Sequence, residues 1–133
     1  MLNLIVAADY VCTRLERVCA DFGITRPQYN VLRILRGVHP EGHPRGEIGA
    51  RLLASAPDVT RLVARLEVKG LVERVPVTED RRLSMTRITK NGLRLLEEIQ
   101  PHITQEHKLF SKKVAPRDCL ELSRICESIY DIE

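Results

Sequence analysis

The stretch of residues 47–89 constrains the fold more than any other part of the sequence, because two helical patterns there lead directly into two β-prone runs. A short helix is predicted over residues 46–53. A second helix, with Ser55 as its N-cap and Asp58 at its third position, runs to Lys69 and ends at Gly70. The β-prone runs are residues 72–77 and 84–89, and residues 78–83 are the predicted tip of a hairpin. This order predicts a mainly α fold with a small β-hairpin wing.

Helical patterns also precede this stretch. Apolar residues recur at spacings of three and four over residues 1–22, and Gly23 ends that helix. Thr25 and Gln28 predict a capping box at the start of a second helix, and residues 39–44 are expected to form a loop. The buried face of the second helix is predicted to hold Tyr29, Leu32, Ile34 and Leu35.

Two long helices are predicted after the hairpin. Thr89 caps the first, whose apolar stripe reaches Phe110, and Pro116 begins the second. A length of 133 residues predicts one domain, and an apolar fraction of 44% is enough for a packed core. Since only 4% of the residues are aromatic, packing of aliphatic helices is favoured over an aromatic-rich β-sandwich.

Positive charge is concentrated in the middle of the chain. Residues 44–95 carry 11 lysines and arginines against 6 acidic residues, whereas the rest of the chain carries 10 against 12. Such a surface attracts phosphate backbones, although ordinary solvated faces produce the same asymmetry. No apolar run is long enough for a membrane span, and no signal peptide is predicted. We therefore expect a cytoplasmic protein with reduced cysteines and no membrane partner.

The second helix of the central stretch has two contrasting faces. One face carries Val59, Leu62, Val63 and Leu66, which are expected to pack inward. The opposite face is centred on Pro57, Arg61 and Ala64 and is flanked by Thr60 and Arg65. A narrow face with small residues and arginines fits a DNA major groove, where arginine donates two hydrogen bonds to guanine. A solvated arginine face on an ordinary amphipathic helix is the alternative.

The predicted hairpin favours the DNA-binding interpretation. Its tip carries Asp80, Arg81 and Arg82. Arginines on a protruding wing suit the narrow, electronegative minor groove. A helix that fits one groove, followed by a basic wing that fits the next, forms a coherent unit for binding double-stranded DNA.

These residues resemble the MarR (multiple antibiotic resistance regulator) family of winged helix-turn-helix regulators. The resemblance is close over residues 25–96, and the flanking helices agree in order and length. It rests on the blocks QYNVLRIL at 28–35, VTRLVARLEVKGLVER at 59–74, DRR at 80–82 and RITKNG at 87–92. The middle block is specific because of its spacing from Asp80 and from the Thr-x-x-Gly pattern at residues 89–92.

The resemblance implies a homodimer that binds a pseudo-palindromic site and is released by a small-molecule effector. Residues 25–91 would form the DNA-binding lobe, and residues 1–24 and 92–133 the helical dimerisation region. The motif match assigns Thr60, Arg61 and Arg65 to the recognition helix. It assigns Arg82 to the minor-groove position of the wing, where Asp80 would help to hold the wing. Ser55 and Pro57, at the start of the recognition helix, complete the predicted DNA-binding set with Arg81.

Two departures from the family pattern stand out. The N-terminal region is short, so the dimer interface is expected to depend more on the C-terminal helix. Asp58 places a carboxylate near the expected position of the DNA phosphates, and we interpret it as a helix cap. The effector pocket would lie between the dimerisation region and the DNA-binding lobe. Tyr29, Leu32 and Phe110 are candidates for its lining, and they are equally suitable as core residues.

Other functions are weaker candidates. The cysteines form two pairs spaced by seven residues, Cys12 with Cys19 and Cys119 with Cys126. One interpretation is that these cysteines form a thiol redox switch. The favoured interpretation is that they act as small buried apolar residues in a helix stripe. No metal is expected, since zinc sites place cysteines two to four residues apart. No nucleophile elbow, phosphate loop or paired carboxylates indicate an enzyme or a cofactor. A winged-helix module that docks an acidic protein surface remains the alternative outside DNA binding.

Overall fold

The computed structural model describes residues 1–52, 58–77 and 80–130, and the side chains of residues 77, 80–83 and 130 are outside that description. The predicted mainly α fold with a small hairpin is confirmed. The helices and strands are α1 (Leu2–Asp21), α2 (Arg26–Arg36), β1 (His43–Pro44), α3 (Arg45–Arg51), α4 (Val59–Val68), β2 (Val72–Val77), β3 (Asp80–Ile88), α5 (Lys90–Ser111) and α6 (Pro116–Tyr130). Within the described ranges, every helix is too short or too polar to cross a lipid bilayer.

The chain divides into two compact units, Met1–Gln100 and Pro101–Glu133, with the boundary inside α5. The core of the first unit is aliphatic and forms where α2, α3 and α4 pack together and against the sheet. Its fully buried side chains include Val31, Leu32, Leu35, Ile48, Val63, Leu66, Leu96 and Ile99. This composition agrees with the low aromatic content, because branched aliphatic side chains fill the space between closely packed helices.

Helix α2 begins with the predicted capping box. The backbone N–H of Gln28 donates to the Thr25 hydroxyl at 3.3 Å, and the Thr25 N–H donates to the Gln28 side chain at 3.0 Å. The predicted buried face is right for Tyr29 but incomplete, because Val31 is fully buried and Ile34 only half-buried. The reason is that α2 contacts α1, α3, α4 and β3, so its buried face is wider than one helical stripe.

The sheet has three antiparallel strands in the order β1-β3-β2. The sequence predicted a loop where β1 lies, and that prediction is wrong, because His43 pairs with Thr86 of β3. A two-residue strand shows no alternation of its own and depends on a partner far along the chain. Gly42 precedes it with φ +85°, and a Cβ there would clash with the Thr86 carbonyl group. Glycine is therefore required where the loop meets the sheet.

The hairpin also differs from the prediction at its tip. Strand β3 begins at Asp80, so residues 80–83 lie in the strand and not in the tip. Pro76 pairs with Ser84 but Val77 pairs with Asp80, so the register shifts between these two positions. The pairing of Val77 with Asp80 brings a charged residue into the ladder, which local propensity alone assigns to a turn.

Candidate nucleic-acid interface

Helix α4 begins at Val59, and its first turn corrects the predicted cap. Asp58 is the N-cap, not the third residue of the helix, and its carboxylate accepts a hydrogen bond from the backbone N–H of Arg61 at 3.0 Å. The predicted site residues Ser55 and Pro57 lie outside the described residues. Helix α3 ends at Arg51, earlier than predicted, and Leu52 has extended backbone angles. Both helices are thus shorter than helical periodicity indicates.

The close approach of α3 to α4 depends on a small residue. A Cβ at Gly49 of α3 would lie 3.3 Å from Cγ2 of Val59 in α4. Glycine inside a helix costs roughly 1 kcal/mol relative to alanine. At this position it allows the first turn of α4 to pack tightly on the preceding helix.

The two predicted faces of α4 are confirmed in part, because Val59, Leu62 and Ala64 are half-buried. Val63 and Leu66 are buried against the rest of the first unit. Thr60, Arg61 and Arg65 are exposed on the opposite side. Burial of Val63 and Leu66 fixes the rotation of α4 about its axis, and this rotation directs the polar face outward. Three of the predicted recognition residues therefore share one accessible surface.

The two arginines of this surface have different surroundings. Nε of Arg61 lies 3.0 Å from Oδ2 of Asp58, and the Arg61 side chain is 79% exposed. Within the described part of the chain, Arg65 makes no ion pair. An exposed pair at this spacing is weak. The contact nevertheless gives the Arg61 guanidinium a preferred position.

The C-terminal end of α4 is tied to the base of the hairpin and to α5. Gly70, at φ +68°, allows the Leu71 N–H to donate to the Leu66 carbonyl at 3.0 Å, which confirms the predicted Schellman closure. The Thr89 hydroxyl donates to the Gly70 carbonyl at 2.7 Å and accepts from the Gly92 N–H at 3.1 Å. This second contact confirms Thr89 as the cap of α5. Sequence reasoning did not predict the hydrogen bond from Thr89 to Gly70. The only sequence signal for it is the Thr-x-x-Gly spacing at residues 89–92.

Gly92 makes the same junction possible. A Cβ there would clash with the Leu71 carbonyl oxygen and with the Ile88 side chain. The Thr89 N–H also donates to the Leu71 carbonyl at 3.1 Å. We call Gly70, Leu71, Thr89 and Gly92 the C-terminal junction. It holds the last turn of α4, the start of β2 and the start of α5 in one arrangement.

Comparison with known proteins identifies this architecture. A MarR-family model matches residues 22–83. The crystal structure of a MarR transcription factor from Planctomyces limnophilus is 36% identical, with a TM-score of 0.76 and coverage of 95% of this chain and 91% of that chain. The chain belongs to the MarR family. The transcriptional repressor IacR of Pseudomonas putida is 27% identical over 117 residues, which are 87% of this chain and 68% of IacR.

The MarR fold extends to more distant members. A mutant of MarR from E. coli, crystallised with operator DNA, is 21% identical, with a TM-score of 0.84 and coverage of 96% of this chain and 90% of that chain. The MarR family consists of transcriptional regulators, which agrees with the regulator predicted from the sequence. In this MarR-family chain, the backbone of Asp80, Arg81 and Arg82 lies in β3. Their side chains lie outside the described residues, so their predicted DNA contacts stay predictions.

The candidate effector-pocket residues have contrasting environments. Tyr29 and Leu32 are buried in the first unit, whereas Phe110, in the second unit, is 38% exposed. Burial raises the pKa of the Tyr29 phenol, although the Arg33 guanidinium lies 5.9 Å from the ring centroid and partly opposes this effect. Tyr29 and Leu32 therefore contribute to the core of this MarR-family chain.

The four cysteines are free thiols. Cys19 is completely buried, and this burial raises the pKa of its thiol. Since the thiolate is the reactive form, Cys19 behaves as a small apolar residue, as favoured from the sequence. Cys12, Cys119 and Cys126 are half-buried. Among the described residues, no group of three or more histidine, cysteine or acidic side chains is placed to hold a metal ion.

Proposed function

We propose that this MarR-family protein is a sequence-specific regulator of transcription that binds double-stranded DNA through α4 and the β2-β3 hairpin. The observation that carries the proposal is the outward polar face of α4, with Thr60, Arg61 and Arg65 exposed while Val63 and Leu66 anchor the opposite face. A helix held in this way presents its first turns to a major groove. Its arginines then supply both phosphate attraction and base-specific hydrogen bonds.

The hairpin supplies the second part of the proposed interface. Arg81 and Arg82 would enter the minor groove beside the recognition helix, and Asp80 would hold the wing. Ser55 and Pro57, which precede α4 in the sequence, would contact the DNA backbone at the start of the recognition helix. Phosphate contacts would give most of the affinity, and α4 would give the sequence preference.

We further propose that the protein acts as a homodimer on a pseudo-palindromic operator. Helix α1 exposes Leu2, Ile5 and Val6 in its first turns, and helix α6 exposes Leu120 and Ile129. Exposed apolar side chains in such numbers are typical of surfaces that associate. A second copy would cover them. Two recognition helices related by twofold symmetry would then meet half-sites about one helical turn apart.

The proposed mode of action is repression relieved by a small-molecule effector. The relative IacR is named a repressor, which supports this direction of control. The residues that contact the effector stay a prediction from the sequence, since Tyr29 and Leu32 are buried in the core of the first unit. Since the MarR family consists of regulators, we expect no catalysis and no cofactor. We also expect the protein to act in the cytoplasm. The effect on transcription would follow from occupancy of the operator alone.

Anisotropy titrations test the DNA-binding proposal. The duplexes are one enriched by the parent protein from a random-sequence pool and a scrambled version of it, each at several salt concentrations. We expect tight, strongly salt-dependent binding with a clear preference for the enriched duplex. Arg61→Ala should cost about 1–3 kcal/mol and relax the preference at one base position, whereas Arg82→Ala should weaken binding to all duplexes.

Arg36→Ala is the matched control, because it removes the same charge from an exposed position at the end of α2, outside the residues proposed to contact DNA or the second copy. It should bind both duplexes as the parent does. Equal affinity of the parent for both duplexes, or failure of any duplex to be enriched, would contradict sequence-specific DNA binding. Parent-like binding by both Arg61→Ala and Arg82→Ala would contradict the assignment of the grooves.

A further inference from the structure

Among the described residues, the Asp58 carboxylate contacts Arg61 through both of its oxygens. Its Oδ1 accepts the backbone N–H of Arg61, and its Oδ2 lies 3.0 Å from the Nε of the same arginine. The first contact caps α4, and the second holds the guanidinium that is expected to touch DNA. Both side chains are accessible, with 41% of Asp58 and 79% of Arg61 exposed.

The nitrogen that Asp58 engages is important for what Arg61 can do next. A guanidinium carries five N–H donors in a rigid, planar fork. A carboxylate at Nε favours one orientation of the fork and leaves the two terminal nitrogens on the far side. These are the nitrogens that donate to O6 and N7 of guanine in the bidentate contact. The Asp58 contact therefore leaves both terminal nitrogens of Arg61 for a guanine edge.

The same contact discourages attachment to random DNA. A phosphate attracts a guanidinium by charge, and a neighbouring carboxylate offsets much of that attraction. A carboxylate at the start of α4 also repels the phosphates that any duplex brings there. Arg65, which makes no ion pair among the described residues, has no such restriction. The two arginines of one helix face thus differ in how much they can contribute to binding without sequence preference.

We propose that Asp58 is a positioning residue that determines sequence specificity through Arg61, making it a guanine contact and suppressing its attachment to phosphates. The proposal rests on the DNA-binding function proposed above. It requires opposite effects when the charge is removed. Binding to the preferred duplex weakens because the fork is no longer oriented, and binding to random duplex strengthens because the carboxylate is gone.

Asp58→Asn is the decisive variant, because asparagine is as good an N-cap as aspartate but carries no charge. The probes are the enriched duplex and its scrambled version. We expect the ratio of the two affinities to fall by about fivefold or more, with a steeper salt dependence on the scrambled duplex. Asp58→Ser, which also caps helices, should give the same result. Far-ultraviolet circular dichroism checks that both variants keep the helical content of the parent.

Two further comparisons show whether Asp58 acts through Arg61. In an Arg61→Ala background, Asp58→Asn should no longer lower the ratio. Substituting each guanine of the enriched duplex with 7-deazaguanine, which lacks the N7 acceptor, should weaken parent binding at one guanine per half-site. Arg61→Ala should be insensitive to that substitution. Persistence of the Asp58→Asn effect without Arg61 would show that charge alone is responsible, and would overturn the proposal.

Glu121→Gln is the matched control on α6. Glu121 stands three residues before Arg124 and accepts from its Nε at 3.0 Å, which matches the spacing and the Nε contact of the Asp58–Arg61 pair. Its substitution changes the net charge by the same amount and should leave the affinity ratio unchanged. Size-exclusion chromatography checks that the variant keeps the dimer of the parent, because α6 lies in the proposed dimer surface. If the parent discriminates between duplexes and Asp58→Asn discriminates equally well, only the role of Asp58 fails. If the parent does not discriminate, the proposed function itself fails.

Discussion

The two ends of α4 are held in different ways. At the C-terminal end, the hydroxyl of Thr89 donates to the Gly70 carbonyl, and the backbone of Leu71 closes on Leu66 and accepts from Thr89. At the N-terminal end, the capping contacts come from one exposed carboxylate, that of Asp58. The first set consists largely of backbone groups and close packing, and the second of one replaceable side chain.

The contacts at the C-terminal end determine the orientation of α4, and the contacts at the N-terminal end determine the chemistry of its exposed surface. The C-terminal junction connects α4 to β2 and α5. It therefore sets the orientation of α4 relative to these two elements. Contacts that involve backbone and tight packing tolerate little change. The N-terminal pair lies on the surface, where substitutions usually change stability by a small amount. The Asp58–Arg61 pair can therefore vary while the fold is kept, whereas the packing of Gly49 on Val59 at the same end cannot.

Gly92→Ala should have the largest effect on stability. A methyl group at this position meets the Leu71 carbonyl oxygen and the Ile88 side chain, so the start of α5 must move away from β2. We expect a loss of about 3 kcal/mol in the free energy of unfolding, at the upper end for overpacking. Urea denaturation followed by circular dichroism measures it.

Gly46→Ala is the control for this substitution. Gly46 lies in α3, and a Cβ there meets no atom within 4 Å. Alanine should keep or raise stability, by about 0.5–1 kcal/mol, because it favours the helix. A Gly92→Ala protein as stable as Gly46→Ala would mean that the junction is loose, and the contrast between the two ends of α4 would disappear.

Thr89→Val should have the next largest effect. Valine keeps the shape of threonine but loses both hydroxyl contacts, one to the Gly70 carbonyl and one from the Gly92 N–H. A lost cap and a lost hydrogen bond together should cost about 1–2 kcal/mol. Thr89→Ser keeps the hydroxyl and should recover most of the loss. Near-parent stability of the valine variant beside a destabilised serine variant would show that the methyl group, and not the hydroxyl, is what the junction needs.

The sequence predicted the C-terminal end of α4 better than its beginning. Gly70, Leu71 and Thr89 carry local signals, because a helix stop, a fold-back contact and a cap each depend on neighbouring residues. Strand β1 and the early start of β3 at Asp80 were missed, because both depend on pairing between strands. The exposed face with Arg61 was predictable from helical periodicity. Its ion pair with Asp58 was not, because the position of the cap decides which side chains meet.

Asp58→Ala should have the smallest effect of the three on stability. It removes the cap of α4 and should cost about 1 kcal/mol, whereas Asp58→Asn should stay within a few tenths of a kcal/mol of the parent. Thermal unfolding at matched concentration measures both. A loss of similar size for asparagine would mean that the ion pair with Arg61, and not the cap, stabilises the helix start. Near-parent stability of asparagine would instead separate the two contacts of Asp58, one acting on folding and the other available for DNA recognition.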